Sequence, residues 1–213
     1  MYPNLTKRQC LLCLEDVHRF VSAYHLLYDS HLCLSCMQKF EVLDRVTTIK
    51  QHRLHILFHY NDYFRQLLYQ YKGLYDIALK YVFLDMFIQE LKHRYRNYIV
   101  VIAPSSKEDN KVRGFNPNYE LASLFSKQLF CGVYKTSQYK QTKQKDRKDV
   151  YGVLDIKDGN QITNKKVVIL DDVITSGYTL LACIALLMPY HPKTIEVLVL
   201  ATHQDPRIYK HIK

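Results

Sequence analysis

The sequence predicts an α/β protein, a mainly parallel sheet with helices packed on it, preceded by a small metal-stapled ribbon. Three observations carry that expectation. Apolar runs at 98–104 (YIVVIAP), 164–170 (NKKVVIL) and 194–202 (TIEVLVLAT) alternate with stretches in helical spacing, the order expected when strands lie parallel and helices return the chain. Four of the six cysteines fall as two C-x2-C pairs, CLLC and CLSC, within the first forty residues. A buried-type strand ends in two adjacent aspartates and turns through Thr-Ser-Gly into another apolar run, VVILDDVITSGYTL, residues 167–180.

With 213 residues, 48% of them apolar, the chain can bury a sizeable core. No window reaches eighteen uninterrupted apolar residues, so no membrane-spanning helix is expected. MYPNLTKRQC lacks the apolar stretch of a secretion signal, which makes the expected address cytoplasmic. Thirty Lys and Arg against twenty Asp and Glu leave a net charge of +10. That excess favours an anionic partner such as nucleic acid, a phosphorylated small molecule or a membrane surface, with a merely basic surface as the alternative. Eighteen tyrosines with no tryptophan offer rings that stack on bases or pack at the core margin.

The ribbon is assigned to residues 1–45. Cys10 and Cys13, then Cys33 and Cys36, are separated by nineteen residues. Each C-x2-C turn brings two thiolates to one ion, and two such turns supply the four tetrahedral ligands that zinc prefers. Disulfides are the weaker reading for a cytosolic chain. The segment has too few periodic apolar residues to fold unaided, so metal binding supplies much of its folding free energy. His18, His25 and His31 are alternative ligands, but four thiolates close the shell and leave no open position for catalysis. Cys131 and Cys183 read as small core residues.

Residues 46–213 form the main domain. HILFHY (55–60) is short and apolar, and Asn61 or Asp62 is placed to cap a helix through YFRQLLYQYKG. Ile77, Leu79, Val82, Leu84, Phe87, Ile88 and Leu91 recur at helical spacing and predict one helix through LYDIALKYVFLDMFIQELKHRY. YIVVIAP is a fully buried strand stopped by Pro104. SSKEDNKVRG reads as a polar loop, after which Asn116 as N-cap and Pro117 at the first helical position open a helix through NYELASLFSKQLF. GVYKTSQY is a weaker strand, and KQTKQKDRK (140–148), with five basic side chains, reads as a mobile surface loop. NKKVVIL is a strand, YTLLACIALLM a helix and TIEVLVLAT the last strand.

The acidic turn carries the chemistry. In open parallel sheets, ligands bind beyond the carboxyl ends of the strands, where Asp171 and Asp172 fall. The following Thr175, Ser176, Gly177, Tyr178 and Thr179 open a helix, whose unpaired N–H groups and partial positive charge suit a phosphate. Gly177 allows close approach or positive φ. Carboxylates beside such a nest repel phosphate but suit sugar hydroxyls, or a magnesium ion coordinated by them. A ligand with a phosphate at one end and a ribose diol in its middle satisfies both halves.

VVILDDVITSGYT closely resembles the phosphoribosyl pyrophosphate (PRPP) signature of the type I phosphoribosyltransferases. The four-cysteine segment, YQYKG (69–73), KVRGFNPNYELA (111–122) and the basic loop carry the resemblance further, to the ComF family with its ComFC-type late competence and GntX-like members. The resemblance implies a phosphoribosyltransferase-like fold that binds PRPP with Mg2+, alongside a structural Zn2+. Asp171 and Asp172 would hold the ribose hydroxyls, and residues 175–179 the 5′-phosphate. Ser105, Ser106 and Lys107 correspond to the pyrophosphate loop, with Arg113, Lys143 and Arg147 as basic residues facing the ligand; Arg113 reads equally as a residue that merely fixes its loop. The family further implies natural transformation, with handling of single-stranded DNA beside a ComFA-type helicase ATPase. An active phosphoribosyltransferase of nucleotide salvage and a PRPP-sensing regulator are the alternatives. The sequence identifies no catalytic residue and no acceptor pocket.

Overall fold

The computed structural model describes residues 8–17, 25, 27–136 and 153–211. Eight strands are found among them. A six-stranded sheet runs in the order β1-β2-β8-β7-β3-β4, from β1 (Val42–Ile49), β2 (His52–His59), β3 (Tyr98–Ile102), β4 (Leu129–Phe130), β7 (Lys166–Ile174) and β8 (Thr194–Thr202). Only the β1–β2 hairpin is antiparallel; β2–β8, β8–β7, β7–β3 and β3–β4 are parallel. A second sheet pairs β5 (Val133–Lys135) with β6 (Leu154–Ile156), antiparallel. The structure is thus α/β with a mostly parallel sheet.

The period of two along the central strands builds two cores. Val100 and Ile102 of β3, Val168 and Leu170 of β7, and Leu198 and Leu200 of β8 enter one apolar cluster. Val101, Val167, Ile169, Val197 and Val199 enter the other. Continuous β-branched runs are what a sheet buried on both faces requires. Helices Asp62–Gly73, Lys80–Leu84, Ile88–Arg94 and Pro117–Ser123 cover the first face with Tyr71, Phe83, Leu91 and Leu121. The Tyr178–Leu187 helix covers the second, burying Leu180, Leu181, Ala182, Cys183, Ile184 and Leu187.

Two predicted caps are found. Asn61 accepts from the Phe64 N–H at 2.8 Å, and Asn116 from the N–H groups of Asn118 and Tyr119, with Pro117 at the first turn. Elsewhere tertiary contacts override the local pattern. The long periodic stretch is not one helix: a 3-10 turn (Ile77–Leu79), Lys80–Leu84 and Ile88–Arg94 are separated by a turn at 85–87. At that break Asp85, 3% exposed, accepts from the hydroxyl of Ser30 at 2.5 Å and the N–H of His31 at 2.9 Å. The apolar stripe is buried through Leu79, Val82, Phe87 and Leu91, but Ile77 is exposed. The polar stretch after β3 is largely a helix, Lys107–Arg113, capped by Ser106 and closed by Gly114 at φ +84°. The helix opened by Pro117 stops at Ser123, and Leu129 and Phe130 join the sheet edge beside Val100 and Val101. Strand β1 has no counterpart in the sequence reading, and residue 45 lies within it. Residues 140–148 lie outside the described residues.

Candidate functional site: an acidic pair at a strand end

Strand β3 leads outward to β4 at one edge, while β7 and β8 lie on its other side. The crevice between the ends of β3 and β7 is therefore where the winding reverses, and such crevices take ligands in open α/β sheets. A cavity of about 360 Å³ lies there. Asp171, Asp172 and Thr179 line it from the β7 side, and Ser105, Ser106 and Arg113 from the loop and helix after β3. Lys72, Asn118, Lys135 and Asp109 complete much of the wall.

The two aspartates are adjacent yet differently held. Asp171 Oδ1 accepts from Asn118 Nδ2 at 3.1 Å and from the Asp172 N–H at 2.9 Å. Asp172 Oδ2 is ion-paired with the Lys72 ammonium. Lys72 occupies the last turn of the Asp62–Gly73 helix, where the partial negative charge of the carbonyls favours a cation. Burial, and next the charge of Asp172, push the Asp171 carboxyl up to about 7, with Lys72 acting the other way. Burial also acts to raise Asp172, but the Lys72 charge and hydrogen bonds outweigh it and hold that carboxyl below its ordinary value. Like charges in one site are thus driven apart in acidity.

The turn after β7 is shaped by Gly177, whose φ of +77° is left-handed and suits a residue without Cβ. It precedes the Tyr178–Leu187 helix, so Thr175, Ser176 and Gly177 form the approach, Tyr178 opens the helix and Thr179 reaches the cavity wall. Tyr209, fully buried in the 3-10 segment Pro206–His211, braces this turn. Its hydroxyl lies 3.2 Å from the Ile174 carbonyl oxygen, 3.1 Å from that of Thr175 and 2.6 Å from Thr202 Oγ1.

Several sequence-derived site residues are placed differently from one another. Arg113 lines the cavity but is also committed structurally: Nε donates to the Lys72 carbonyl at 2.8 Å and Nη1 to Asn110 Oδ1 at 3.1 Å. Ser105 Oγ accepts from Asn110 Nδ2 at 2.6 Å, and Ser106 caps its helix. Lys107 does not line this cavity; its ammonium is 4.9 Å from the Tyr134 ring centre, and it lines another cavity of about 570 Å³ with Cys131 and Lys157. Cys131 is exposed there, not a core residue, because it follows the short edge strand β4; Cys183 is buried. Lys143 and Arg147 lie outside the described residues. Sequence reading missed Lys72 and Asn118 as site residues. The signal for Lys72 was available, since two adjacent carboxylates at a buried strand end require a cation; for Asn118 there was none.

The four cysteines of the ribbon converge. The sulfurs of Cys10, Cys13, Cys33 and Cys36 lie within 4.8 Å of one another, and Cys13 and Cys33 are 3.6 Å apart. Zn–S bonds of about 2.3 Å in a tetrahedron place sulfurs roughly 3.8 Å apart, so the spacing and the thiol donor set fit a structural zinc. The Cys10 thiol is lowered to about 7: burial opposes this, but backbone N–H groups around residues 12, 13 and 33 favour its thiolate. Cys10, Cys33 and Cys36 are buried in the same apolar cluster as Phe40, Phe58 and Phe64.

Among the described residues, no helix is long and apolar enough to cross a membrane. The Phosphoribosyl transferase domain family matches residues 87–212. Competence protein ComFC of Bacillus subtilis (strain 168) is 26% identical over 125 residues, covering 57% of this chain and 52% of that protein. The chain thus spans about half the length of the curated relative it matches. Among solved structures, a purine phosphoribosyltransferase from Pyrococcus horikoshii Ot3 is 22% identical with a TM-score of 0.38, covering 56% of this chain and 73% of that one. A hypoxanthine phosphoribosyl transferase of Trypanosoma cruzi is 11% identical with a TM-score of 0.42, covering 61% and 76%. With more than half of its length matched, the chain belongs to the phosphoribosyl transferase domain family.

Proposed function

We propose that this chain binds PRPP with magnesium in the cavity at the end of β7, and that it serves natural transformation, where it handles incoming single-stranded DNA. One observation carries the first part: Asp171 and Asp172 stand beside the amino end of the Tyr178–Leu187 helix in a cavity that also holds Lys72, Arg113 and Lys135. Carboxylates take the ribose hydroxyls, the turn from Thr175 to Thr179 takes the 5′-phosphate, and the cations with Ser105 and Ser106 take the pyrophosphate. Lys143 and Arg147, outside the described residues, belong to the same reading as basic residues facing the ligand. Magnesium, when bound, neutralises pyrophosphate charge, and the aspartates offer the hard oxygen donors it prefers.

The competence role is supported by the similarity to ComFC, and a ComFA-type ATPase is the partner it implies. A net charge of +10 suits the phosphates of DNA. Exposed Tyr69 and Tyr75 are available for stacking, whereas Tyr71 is wholly buried with its hydroxyl donating to the Pro117 carbonyl at 2.9 Å. The working organisation is a zinc ribbon over residues 1–45 and the phosphoribosyltransferase-like domain over 46–213.

Calorimetric titration of PRPP with magnesium into the zinc-loaded protein tests the site. Saturable binding is expected, with a loss of roughly 100-fold or more in the Asp171→Ala/Asp172→Ala double variant. Equal binding by both proteins, or none by the folded wild type, overturns it. A DNA-handling role predicts single-strand binding that falls steeply with salt whether or not PRPP is present. If PRPP and DNA change each other's affinity by the same factor, the protein is a sensor. Pyrophosphate release that requires a particular acceptor marks a transferase of nucleotide salvage.

A further inference from the structure

The pyrophosphate assignment gives Lys72 a role once ligand is bound, yet in the ligand-free protein its ammonium is in direct contact with Asp172. Both partners are largely covered, with side chains 30% and 14% exposed. The root of the lysine is fixed, because its carbonyl is held by Arg113 Nε at 2.8 Å, while its methylene stem retains rotamer freedom. Beside this pair stands Asn118, 5% exposed and on the cavity wall. Its Nδ2 is spent on Asp171, and its Oδ1 has no hydrogen-bond partner among the described residues. A buried acceptor without a partner costs free energy that a ligand hydroxyl would recover. The wall is therefore made to receive a donor next to Asp171, and a cation of the protein's own sits on Asp172.

We propose that Lys72 is a tethered counter-ion, seated on Asp172 in the ligand-free protein and transferred to the phosphate groups of the ligand on binding. The proposal rests on the reading of this cavity as a PRPP site. A tethered ammonium acts at high effective concentration, so a free divalent cation competes poorly for Asp172. Displacing it without a replacement would also leave a largely covered ammonium unpaired. A cation that arrives with a polyphosphate brings anionic oxygens with it, and the ammonium exchanges one partner for another. Lys72 thereby makes cation binding depend on PRPP, and reserves the aspartates until the full ligand is present. Asn118 Oδ1 takes a ribose hydroxyl in the same event.

The probe is Mn2+, which favours oxygen ligands and leaves the thiolate cluster to zinc. Free Mn2+ is followed by electron paramagnetic resonance in titrations of the zinc-loaded full chain. Mn2+ alone should bind Lys72→Gln at least about tenfold more tightly than wild type, a difference of about 1.4 kcal/mol, while Lys72→Arg should behave as wild type. Adding PRPP should bring wild-type Mn2+ affinity up to or beyond that of Lys72→Gln. Equal affinity of wild type and folded Lys72→Gln for Mn2+ alone overturns the proposal. If Lys72→Gln does not fold, the lysine ammonium nitrogen signal of wild type decides: it should move with PRPP and Mg2+ together and not with Mg2+ alone, and an unmoved signal overturns the idea. If wild type binds no PRPP, the PRPP reading falls, and the Mn2+ comparison still tells whether Lys72 guards the aspartates.

Discussion

Asp171 is held by burial with its carboxyl raised to about 7, against an ordinary 3.8, while its neighbour is lowered. The sign of the linkage follows from that direction. Between the unfolded and folded values the native state keeps a proton that the unfolded chain has released, so the Asp171 contribution falls as pH rises from about 4 to 7 and stays lost above. Asp171→Asn keeps the shape without the charge. It should raise the melting temperature at pH 8 by a few degrees and flatten the dependence of stability on pH between 4 and 7. Thermal melts at pH 5 and pH 8 check this, and an unchanged slope would place the proton elsewhere. Asp85 is buried and accepts from Ser30 and His31 of the cysteine-bearing segment. Asp85→Ala leaves the His31 N–H without its acceptor, while the Ser30 hydroxyl keeps the Leu32 carbonyl, and should cost about 1–3 kcal/mol in urea denaturation.

The turn after β7 is a loop braced by a neighbouring element. Tyr209 reaches it from a segment more than thirty residues later and touches the carbonyls of Ile174 and Thr175. Tyr209→Phe keeps the ring in the core and removes the hydroxyl. Stability should fall by about 1 kcal/mol, whereas PRPP affinity should fall by roughly tenfold as the phosphate turn loosens; calorimetry beside thermal melts separates the two. At the helix before the site, Asn61→Ala removes a formed cap and should cost about 1 kcal/mol. That cap could be read from sequence because an N-cap needs only local geometry. The break at Asp85 could not, because it depends on Ser30 and His31 more than fifty residues away.

At the scale of the whole molecule, the cysteine cluster and the first face of the sheet share one apolar cluster, in which the Phe40 ring lies tilted against Phe58 at 5.2 Å and edge-on to Phe64 at 6.4 Å. Stripping the metal with a chelator should therefore disturb more than the ribbon. A loss of near-ultraviolet signal from the buried aromatics, with a melting temperature lower by several degrees, is the expected result. Chelation that leaves both unchanged would show a ribbon energetically separate from the sheet.

What the sequence determined by itself was whatever rests on spacing and period. The C-x2-C pairs placed the thiols, the β-branched runs marked β3, β7 and β8, and the run from Asp171 to Thr179 marked the strand end beside which the cavity lies. Hairpin strand β1 escaped, because the alternation of buried residues in VLDRVTTI is confined to Thr47 and Ile49, while Val42 and Val46 are exposed. Only the tertiary structure decided which residues after β3 line the cavity of the aspartates: Arg113 does and Lys107 does not, though both lie on one short helix. It also decided that Lys72, a hundred positions away in the chain, neutralises Asp172, and that Asn118 holds Asp171. Partners at such separations are chosen by how helices pack on a sheet, and burial of two adjacent carboxylates says that a cation must come without saying from where.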